Sequence, residues 1–343
     1  MLVIRLSAMG DVAMTVPVLG PFSESFPDVK LYMLSRKEYA PFFTSVGVNF
    51  IGIKIEDYEG IKGLCRLFKI LKKEQFDLVL DLHDVIRSIV LRTLFGMAGI
   101  RVFTIDKGRK EKKAAAKRRN KILRPLRTTV ERYADVFRKA GFDTKLTFRS
   151  IFADNYEMSD KVENLIQSER IKIGIAPFAA YKEKTYPVER MTEVAKYLST
   201  KGFELFLFGG PGNERIVLQE WESRFPDCVS VSGKLSLEEE LQLIGKLDLM
   251  ISMDSANMHL ASLTATPVVS IWGATHPYAG FTGCGQSPEN MVQTDLSCRP
   301  CSTYGNKACY RKDFACMTSI TPGMIAEKVM YVLGNKVNSK NKI

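Results

Sequence analysis

Short runs of apolar residues alternate with amphipathic segments along the first half of the chain. The runs have the length and β-branched content of buried strands, and the segments between them repeat apolar residues at helical spacing. The predicted strands are 2–6, 29–34, 49–53, 77–82 and 101–105. The predicted helices are 12–25, 36–46, 58–73, 86–96 and 128–140. Because strands that alternate with helices pair in parallel through right-handed crossovers, this half is predicted to be a doubly wound parallel sheet.

The same alternation restarts after a helix predicted at about 157–168. Four near-continuous apolar runs follow, as is typical of strands buried on both faces: 171–176, 203–208, 248–252 and 267–271. The pattern therefore predicts an α/β protein with two doubly wound halves joined near 150–170. Ligands of such sheets bind at the carboxyl ends of the strands, so the residues that follow each strand are the candidates for chemistry.

Length and composition narrow the class of protein. The 343 residues favour two domains, and 45% hydrophobic with 25% charged residues excludes a disordered chain, a collagen or a coiled coil. No run approaches the ~18 apolar residues of a membrane-spanning helix. Arg5 and Asp11 interrupt the apolar start, which lacks the basic region of a signal peptide. The expected location is therefore the cytoplasm.

The net charge of +11 is concentrated in one segment. Residues 107–127 contain eleven Lys and Arg and the single acid Glu111, so this basic segment carries +10. Charge gathered in one place indicates a polyanionic partner, which includes nucleic acid, although a solvated arm that only steers encounter has the same composition. The segment lacks the interleaved aromatic residues that stack on the bases of nucleic acids.

The first candidate site follows the first strand. A turn of small residues, Ser7 to Asp11, enters a helix there, which suits an anion or a sugar oxygen. The turn does not have the spacing of a dinucleotide-binding loop. Asp11 is a candidate general base, with a helix N-cap as the alternative.

Three further candidates follow strands of the second half. Lys184 lies in a loop that leads into a helix and is a candidate phosphate ligand, with a solvated lysine as the alternative. Glu214 comes after three glycines within 209–212 and could accept ribose hydroxyls, or the glycines form an ordinary turn. Asp254 and His259 flank a helix start, where the alternatives are an N-cap and a packed histidine.

The last pattern is a set of four cysteines spaced C-x2-C-x7-C-x6-C. A structural zinc site, two disulfides and free buried thiols are all compatible with Cys298, Cys301, Cys309 and Cys316. The second C-x-x-C of a zinc ribbon is missing.

Five segments in order resemble the heptosyltransferases of glycosyltransferase family 9, which build the inner core of bacterial lipopolysaccharide. They are RLSAMGDVAMTVPVL, APFAAYKEKTYPVERM, FGGPGNE, SGKLSLEEELQLI and MDSANMHLASLTATPVVSIWGATHP. The resemblance implies a GT-B fold, in which two Rossmann-like doubly wound domains face each other across a cleft. It also implies inverting sugar transfer without a metal or any cofactor besides the nucleotide sugar.

The resemblance assigns roles to individual residues. It implies that Asp11 takes the proton of the acceptor hydroxyl. The residues implied to bind the donor are Lys184 on the diphosphate, Glu214 on the ribose, Leu235 at the adenine, Asp254 on the sugar, Ser255 and Ala256 through their amides, and His259 nearby. The residues expected to contact the acceptor are Gly10, Arg87, Arg101, Arg109 and Lys110.

The expected protein is thus a transferase of heptose from ADP-heptose to a lipopolysaccharide-core acceptor. Residues 1–160 would bind the anionic lipid A or inner-core glycolipid, and 161–343 the nucleotide sugar. Whether the helix at about 322–334 packs back on the first domain stays open. We expect peripheral association with the inner face of the cytoplasmic membrane and no nucleic acid. The alternatives are an inactive GT-B binding module and a nucleic-acid-binding protein that uses the basic segment.

Overall fold

A computed structural model of the chain describes residues 1–153 and 156–340, with the backbone alone for 336–340. Two compact units are distinguished by their internal contacts. The first unit consists of residues 1–107 and 127–151, and the second of residues 108–126 and the described residues from Phe152 onward.

Each unit contains one parallel sheet. The first sheet has the order β3-β2-β1-β4-β5, and its strands are β1 (Leu2–Ile4), β2 (Tyr32–Arg36), β3 (Asn49–Ile53), β4 (Leu78–Asp81) and β5 (Arg101–Thr104). The second has the order β11-β10-β9-β6-β7-β8, and its strands are β6 (Lys172–Ala176), β7 (Glu204–Leu207), β8 (Cys228–Ser230), β9 (Leu249–Met253), β10 (Val268–Trp272) and β11 (Met291–Gln293). The predicted pair of doubly wound α/β sheets is confirmed.

Helices connect the strands and cover the sheets. They are α1 (Met9–Ala13), α2 (Val16–Ser25), α3 (Gly60–Leu71), α4 (Ile86–Met97), α5 (Arg109–Ala115), α6 (Thr129–Lys139), α7 (Asp160–Leu165), α8 (Val188–Thr200), α9 (Asn213–Arg224), α10 (Leu237–Gly245), α11 (Ala256–Leu263), α12 (Ala315–Thr318) and α13 (Pro322–Lys340). Among the described residues, none of these helices combines the length and the hydrophobicity needed to cross a membrane.

The structure departs from the sequence-based elements where local signals are weak. The predicted helix 36–46 is a 3₁₀ helix over Lys37–Phe42, with Pro41 inside it. The three-residue edge strands β8 and β11 were not predicted. The predicted helix 12–25 is divided into α1, which begins earlier at Met9, and α2. Short elements such as these contain too few residues for a periodic pattern.

Residues 108–126 of the basic segment belong to the second unit, although the sequence suggested the first, and only the end residues Lys107 and Arg127 belong to the first unit. Lys112 is buried, with its ammonium 3.9 Å from the centre of the Phe281 ring. Farther along, the backbone N–H of Leu126 donates to the carbonyl of Tyr278 at 3.0 Å. Contacts between residues this distant in sequence leave no pattern in the local sequence. The charge of the segment therefore does not show to which unit it belongs.

Helix α13 contributes to the core of the second unit. Its residues Ile325 and Val329 are fully buried in the same apolar cluster as Ile251 of β9 and Ile271 of β10. These contacts anchor the helix that the sequence left unassigned.

Candidate active site

In the first sheet the strand order reverses between β1 and β4, which is where open α/β sheets bind ligands. Ser7 to Asp11 follow β1, and His83 follows β4. The backbone N–H of Leu6 donates to His83 Nδ1 at 3.4 Å and joins the two strand ends. The predicted base therefore lies at the ligand-binding edge of its sheet.

The carboxylate of Asp11 is oriented by a buried arginine. Arg5 Nη2 lies 2.5 Å from Asp11 Oδ2, and the two side chains are 6% and 30% exposed. The backbone N–H of Ala8 donates to the same oxygen at 3.4 Å. Asp11 is the third residue of α1, after the buried Gly10, and the N-cap is Ala8. The N-cap interpretation is therefore wrong, and the partly exposed carboxylate remains accessible to a ligand hydroxyl.

His83 supplies a neutral hydrogen-bonding group beside this carboxylate. It is 6% exposed. Burial, followed by the positive charges of Arg5 and Lys107, lowers the pKa of His83 to about 3. Because Nδ1 accepts from Leu6, the ring proton is assigned to Nε2, which lies 3.5 Å from Ser7 Oγ.

The lowered pKa of His83 predicts that acid destabilises the protein. The unfolded chain takes up a proton below the ordinary histidine pKa of about 6.5, whereas the folded chain does so only near pH 3. Stability is therefore lost as the pH falls from about 6.5 toward about 3. We expect His83→Gln, which retains a side-chain acceptor, to reduce this loss by up to about 1.4 kcal/mol per pH unit.

Thermal unfolding of both proteins from about pH 7.5 to about pH 4 tests this expectation. The pKa of His276 is also lowered, to about 4, by burial and by Arg299. Since His276 is present in both proteins, the difference between their slopes isolates His83. Identical slopes would contradict the assignment.

Arg87 and Arg101 lie near opposite edges of the first sheet. Arg87 is exposed near the start of α4, close enough to His83 for its charge to lower the pKa of that histidine. Arg101 is the first residue of β5 and pairs in register with Leu78, the first residue of β4. Parallel strands begin at a common edge, so Arg101 lies opposite the carboxyl edge that holds Asp11 and does not join this site. Arg109 and Lys110 begin α5 and belong to the second unit.

In the second sheet the order reverses between β6 and β9. The loop after β6 carries Lys184, and the turn after β9 carries Asp254. Lys184 Nζ lies 3.0 Å from Asp254 Oδ2, with the side chains 15% and 6% exposed. The hydroxyl of Thr275, which follows β10, donates to the same oxygen at 2.8 Å. Residues from two separate sequence motifs are thus brought together at the switch point.

Helix α11 begins immediately after this ion pair. Its N-cap is Ser255, so the N-cap interpretation of Asp254 is also wrong. The backbone amides of Ser255 and Ala256 lie at the helix start, where N–H groups and the helix dipole favour an anion. His259, on the first turn, is 7% exposed and is largely packed inside the unit.

A buried arginine supports the turn that carries Thr275. Arg299 is 2% exposed. Its Nη2 donates to the carbonyl of Thr275 at 3.0 Å, and its Nε donates to the carbonyl of Gly273 at 2.5 Å. The loop that contains Cys298 and Cys301 therefore positions the hydroxyl that holds Asp254.

Glu214 and Leu235 follow the neighbouring strands of the same sheet. Glu214 Oε2 accepts from the backbone N–H of Gly210 at 2.6 Å, which fixes the carboxylate beneath the glycine turn after β7. Leu235 follows β8 and precedes Ser236, the N-cap of α10. Both lie on the carboxyl side of the sheet.

The cysteines have free thiols. Burial, with the neighbouring cysteines, raises the pKa of Cys301 to about 11. Within the part of the chain that the structure describes, no group of three or more His, Cys, Asp or Glu side chains is placed to hold a metal ion. The four cysteines form no disulfide, and the structural zinc site stays a prediction.

Four residues of these sites were not predicted from the sequence: Arg5, His83, Thr275 and Arg299. Two of them have a signal in the sequence. Arg5 is a charged residue inside an apolar strand, and His83 directly follows a predicted strand, which is where ligand-binding residues are expected. Arg299 lies between Cys298 and Cys301, and the cysteine spacing gives no sign that this arginine is buried.

Comparisons with known proteins show which family the sequence resembles. The sequence profile of glycosyltransferase family 9 (heptosyltransferase) matches residues 64–310. The chain is 25% identical over 292 residues to the lipopolysaccharide core heptosyltransferase OpsX of Haemophilus influenzae, covering 80% of this chain and 79% of that protein. It is 25% identical over 280 residues to lipopolysaccharide heptosyltransferase 3 of Escherichia coli, covering 78% of this chain and 81% of that protein.

Solved structures show the same fold. A glycosyltransferase of family 9 from Veillonella parvula superposes with a TM-score of 0.72 at 17% identity, covering 97% of each chain. ADP-heptose LPS heptosyltransferase II of E. coli gives a TM-score of 0.69 at 18% identity, covering 98% of each chain. E. coli heptosyltransferase WaaC, solved with ADP, gives a TM-score of 0.64 at 16% identity, covering 96% of each chain.

Proposed function

The chain belongs to glycosyltransferase family 9, the heptosyltransferase family, and we propose that it transfers a heptose from ADP-heptose to a hydroxyl of a lipopolysaccharide-core acceptor. The observation that carries this proposal is the Lys184–Asp254–Thr275 cluster beside the start of α11. It joins a cation and helix amides, suited to a diphosphate, with a carboxylate suited to sugar hydroxyls. The names of the curated relatives support the choice of heptose and of the lipopolysaccharide core.

In this proposal the second unit binds the donor. The ammonium of Lys184 and the amides of Ser255 and Ala256 neutralise the diphosphate. Asp254 accepts hydrogen bonds from the sugar. Glu214 lies one strand farther along the sheet and accepts from the ribose hydroxyls. Backbone atoms at Leu235, which follows the next strand, contact the adenine.

The first unit supplies the base. Asp11 accepts the proton of the acceptor hydroxyl while the oxygen forms a bond to the anomeric carbon of the sugar. The bond from that carbon to the diphosphate oxygen breaks, and its electron pair leaves with ADP. Attack from the face opposite the leaving group inverts the anomeric configuration. General-base assistance of this kind is worth about 10²–10⁴ in rate.

The basic segment supports an anionic acceptor at a membrane surface. A basic residue near the inner leaflet contributes about 1 kcal/mol to binding of anionic lipid. We propose that the protein works as a peripheral protein on the cytoplasmic face of the inner membrane, where a lipid-linked acceptor would present its phosphates and acidic sugars.

Thermal unfolding with a panel of nucleotides and nucleotide sugars tests the donor. ADP and ADP-heptose are expected to raise Tm, since a ligand that binds the folded state alone stabilises it. UDP and GDP, with the same diphosphate and a different base, are the matched controls. A shift with UDP or GDP and none with ADP would contradict the ADP-heptose proposal while leaving the family assignment in place.

A further inference from the structure

The second unit contains a cavity that the proposed donor site does not use. Its volume is about 590 Å³, within the usual range of small-molecule sites. One wall is the basic segment, and the other is the loop that follows Arg299. The lining residues used below are Lys113, Lys117, Arg118, Lys307, Tyr304 and Tyr310.

The lining of this cavity is cationic without balancing acids. Lys113, Lys117, Arg118 and Lys307 contribute to it, and none of the described lining residues is Asp or Glu. Like charges brought together repel each other unless an anion or solvent balances them. The lining therefore favours a ligand with concentrated negative charge.

Other cations of the basic segment fasten it in place. Lys121 Nζ donates to the carbonyls of Ser297 at 3.0 Å and Pro300 at 3.3 Å. Arg124 lies 4.0 Å from the carboxylate of Glu111. Lys121 thus attaches the segment to the opposite wall, the Arg124–Glu111 pair lies within the segment, and a separate set of cations lines the cavity.

The cavity also has surfaces suited to a sugar ring. The guanidinium of Arg118 lies 4.3 Å from the ring centre of Tyr310, and the Tyr304 ring packs against Phe281 at 5.7 Å between centroids. Ser302 Oγ accepts from the backbone N–H of Gly305 at 2.8 Å, which holds the loop in a defined conformation. Fixed aromatic rings beside cations match a sugar that carries a phosphate.

The same loop touches the proposed diphosphate ligand. Gly305 has a φ of +74°, and a β-carbon there would collide with the aliphatic part of Lys184. The loop that lines the cavity therefore packs directly on the lysine of the donor site. A ligand in the cavity would lie in the same unit as the donor diphosphate and next to the loop that borders it.

We propose that this cavity binds a phosphate ester carried on a sugar. This assignment rests on the proposed function: the sugar phosphate is part of the acceptor. Lys113, Lys117 and Lys307 neutralise the phosphate, and the sugar ring lies against Tyr304. The cavity is then an acceptor subsite on the unit that binds the donor, separate from Asp11.

Titration calorimetry with glucose 6-phosphate tests the site without requiring transfer. The wild-type protein is expected to bind glucose 6-phosphate and, more weakly, inorganic phosphate, but not glucose. The variant Lys113→Gln/Lys117→Gln/Lys307→Gln is expected to bind at least about tenfold more weakly, since each lost charge-assisted hydrogen bond is worth more than a neutral one. The control Lys69→Gln/Lys73→Gln/Lys196→Gln removes three exposed charges elsewhere and should bind as the wild type does.

Three results would overturn the proposed phosphate site in the cavity. Retention of binding in the cavity variant would place the phosphate elsewhere. Competition by saturating ADP would place it at Lys184. The third result is that the wild-type protein does not bind glucose 6-phosphate but retains RNA in a salt-dependent way, and that the cavity variant does not retain RNA. This result would assign the cations to nucleic acid.

Transfer kinetics test the assignment to the acceptor. The cavity variant is expected to show an acceptor KM about tenfold higher, with an unchanged KM for ADP-heptose. An unchanged acceptor KM would overturn the acceptor assignment. If the wild type transfers no sugar at all, the proposed function fails, and the titration still decides whether the cavity binds a sugar phosphate.

Discussion

Replacement of Asp11 by asparagine is expected to lower kcat about a thousandfold, while ADP-heptose binds the second unit as before. Asparagine has nearly the same shape but cannot take the proton of the acceptor hydroxyl. Steady-state kinetics with titration calorimetry of the donor would measure both quantities. Full turnover with intact donor binding would exclude Asp11 as the base.

The pairing of Asp11 with Arg5 requires a separate control for stability. Arg5 is 5% exposed, and loss of its carboxylate partner leaves a buried charge less well compensated. Asp11→Asn is therefore expected to lower Tm as well, and activity is compared well below the Tm of both proteins. Asp28→Asn, at an exposed position of the same unit, controls for the loss of one negative charge. Asp11→Glu retains a carboxylate and is expected to keep more activity than Asp11→Asn.

Replacement of Lys184 by glutamine is expected to weaken ADP binding about tenfold and to lower kcat about a hundredfold. The larger effect on kcat follows because negative charge on the diphosphate increases as the sugar bond breaks. The same change leaves Asp254, which is 4% exposed, without its cation. Donor affinity and turnover are measured on the same preparations.

Lys182 provides the matched control for Lys184. It lies in the same loop, two residues earlier, and its ammonium is 5.6 Å from the centre of the Phe314 ring. Lys182→Gln should therefore keep most of the donor affinity. Equal losses in the two variants would indicate a general effect of loop charge, and a normal kcat in Lys184→Gln would exclude its role on the leaving diphosphate.

Periodicity and the rule for ligand sites predicted much of this architecture. Continuous apolar runs such as 248–252 are strands buried on both faces, and the residues that follow them do converge at the two switch points. The family resemblance implied that Lys184 and Asp254, 70 residues apart, both bind the donor, and the structure brings them together because the strands they follow, β6 and β9, are neighbours in the sheet.

What could not be predicted depends on contacts between distant residues. The side chain of Arg299 reaches the carbonyl of Thr275 across a loop whose path no local pattern specifies. The unit to which the basic segment belongs likewise depends on Lys121 and its carbonyl partners. Arg101 lies away from the site because it begins β5, and the beginning of a parallel strand is at the edge opposite its carboxyl end.

Acceptor-dependent release of ADP from ADP-heptose is the measurement that tests the central proposal most directly. With a lipopolysaccharide core that lacks heptose, the wild-type protein is expected to release one ADP for each heptose added. The new glycosidic bond should have the anomeric configuration opposite to that of the donor, and Asp11→Asn should lower the rates of ADP release and of heptose transfer about a thousandfold. No ADP release above the rate without acceptor, from folded protein that binds ADP-heptose, would contradict the proposed function.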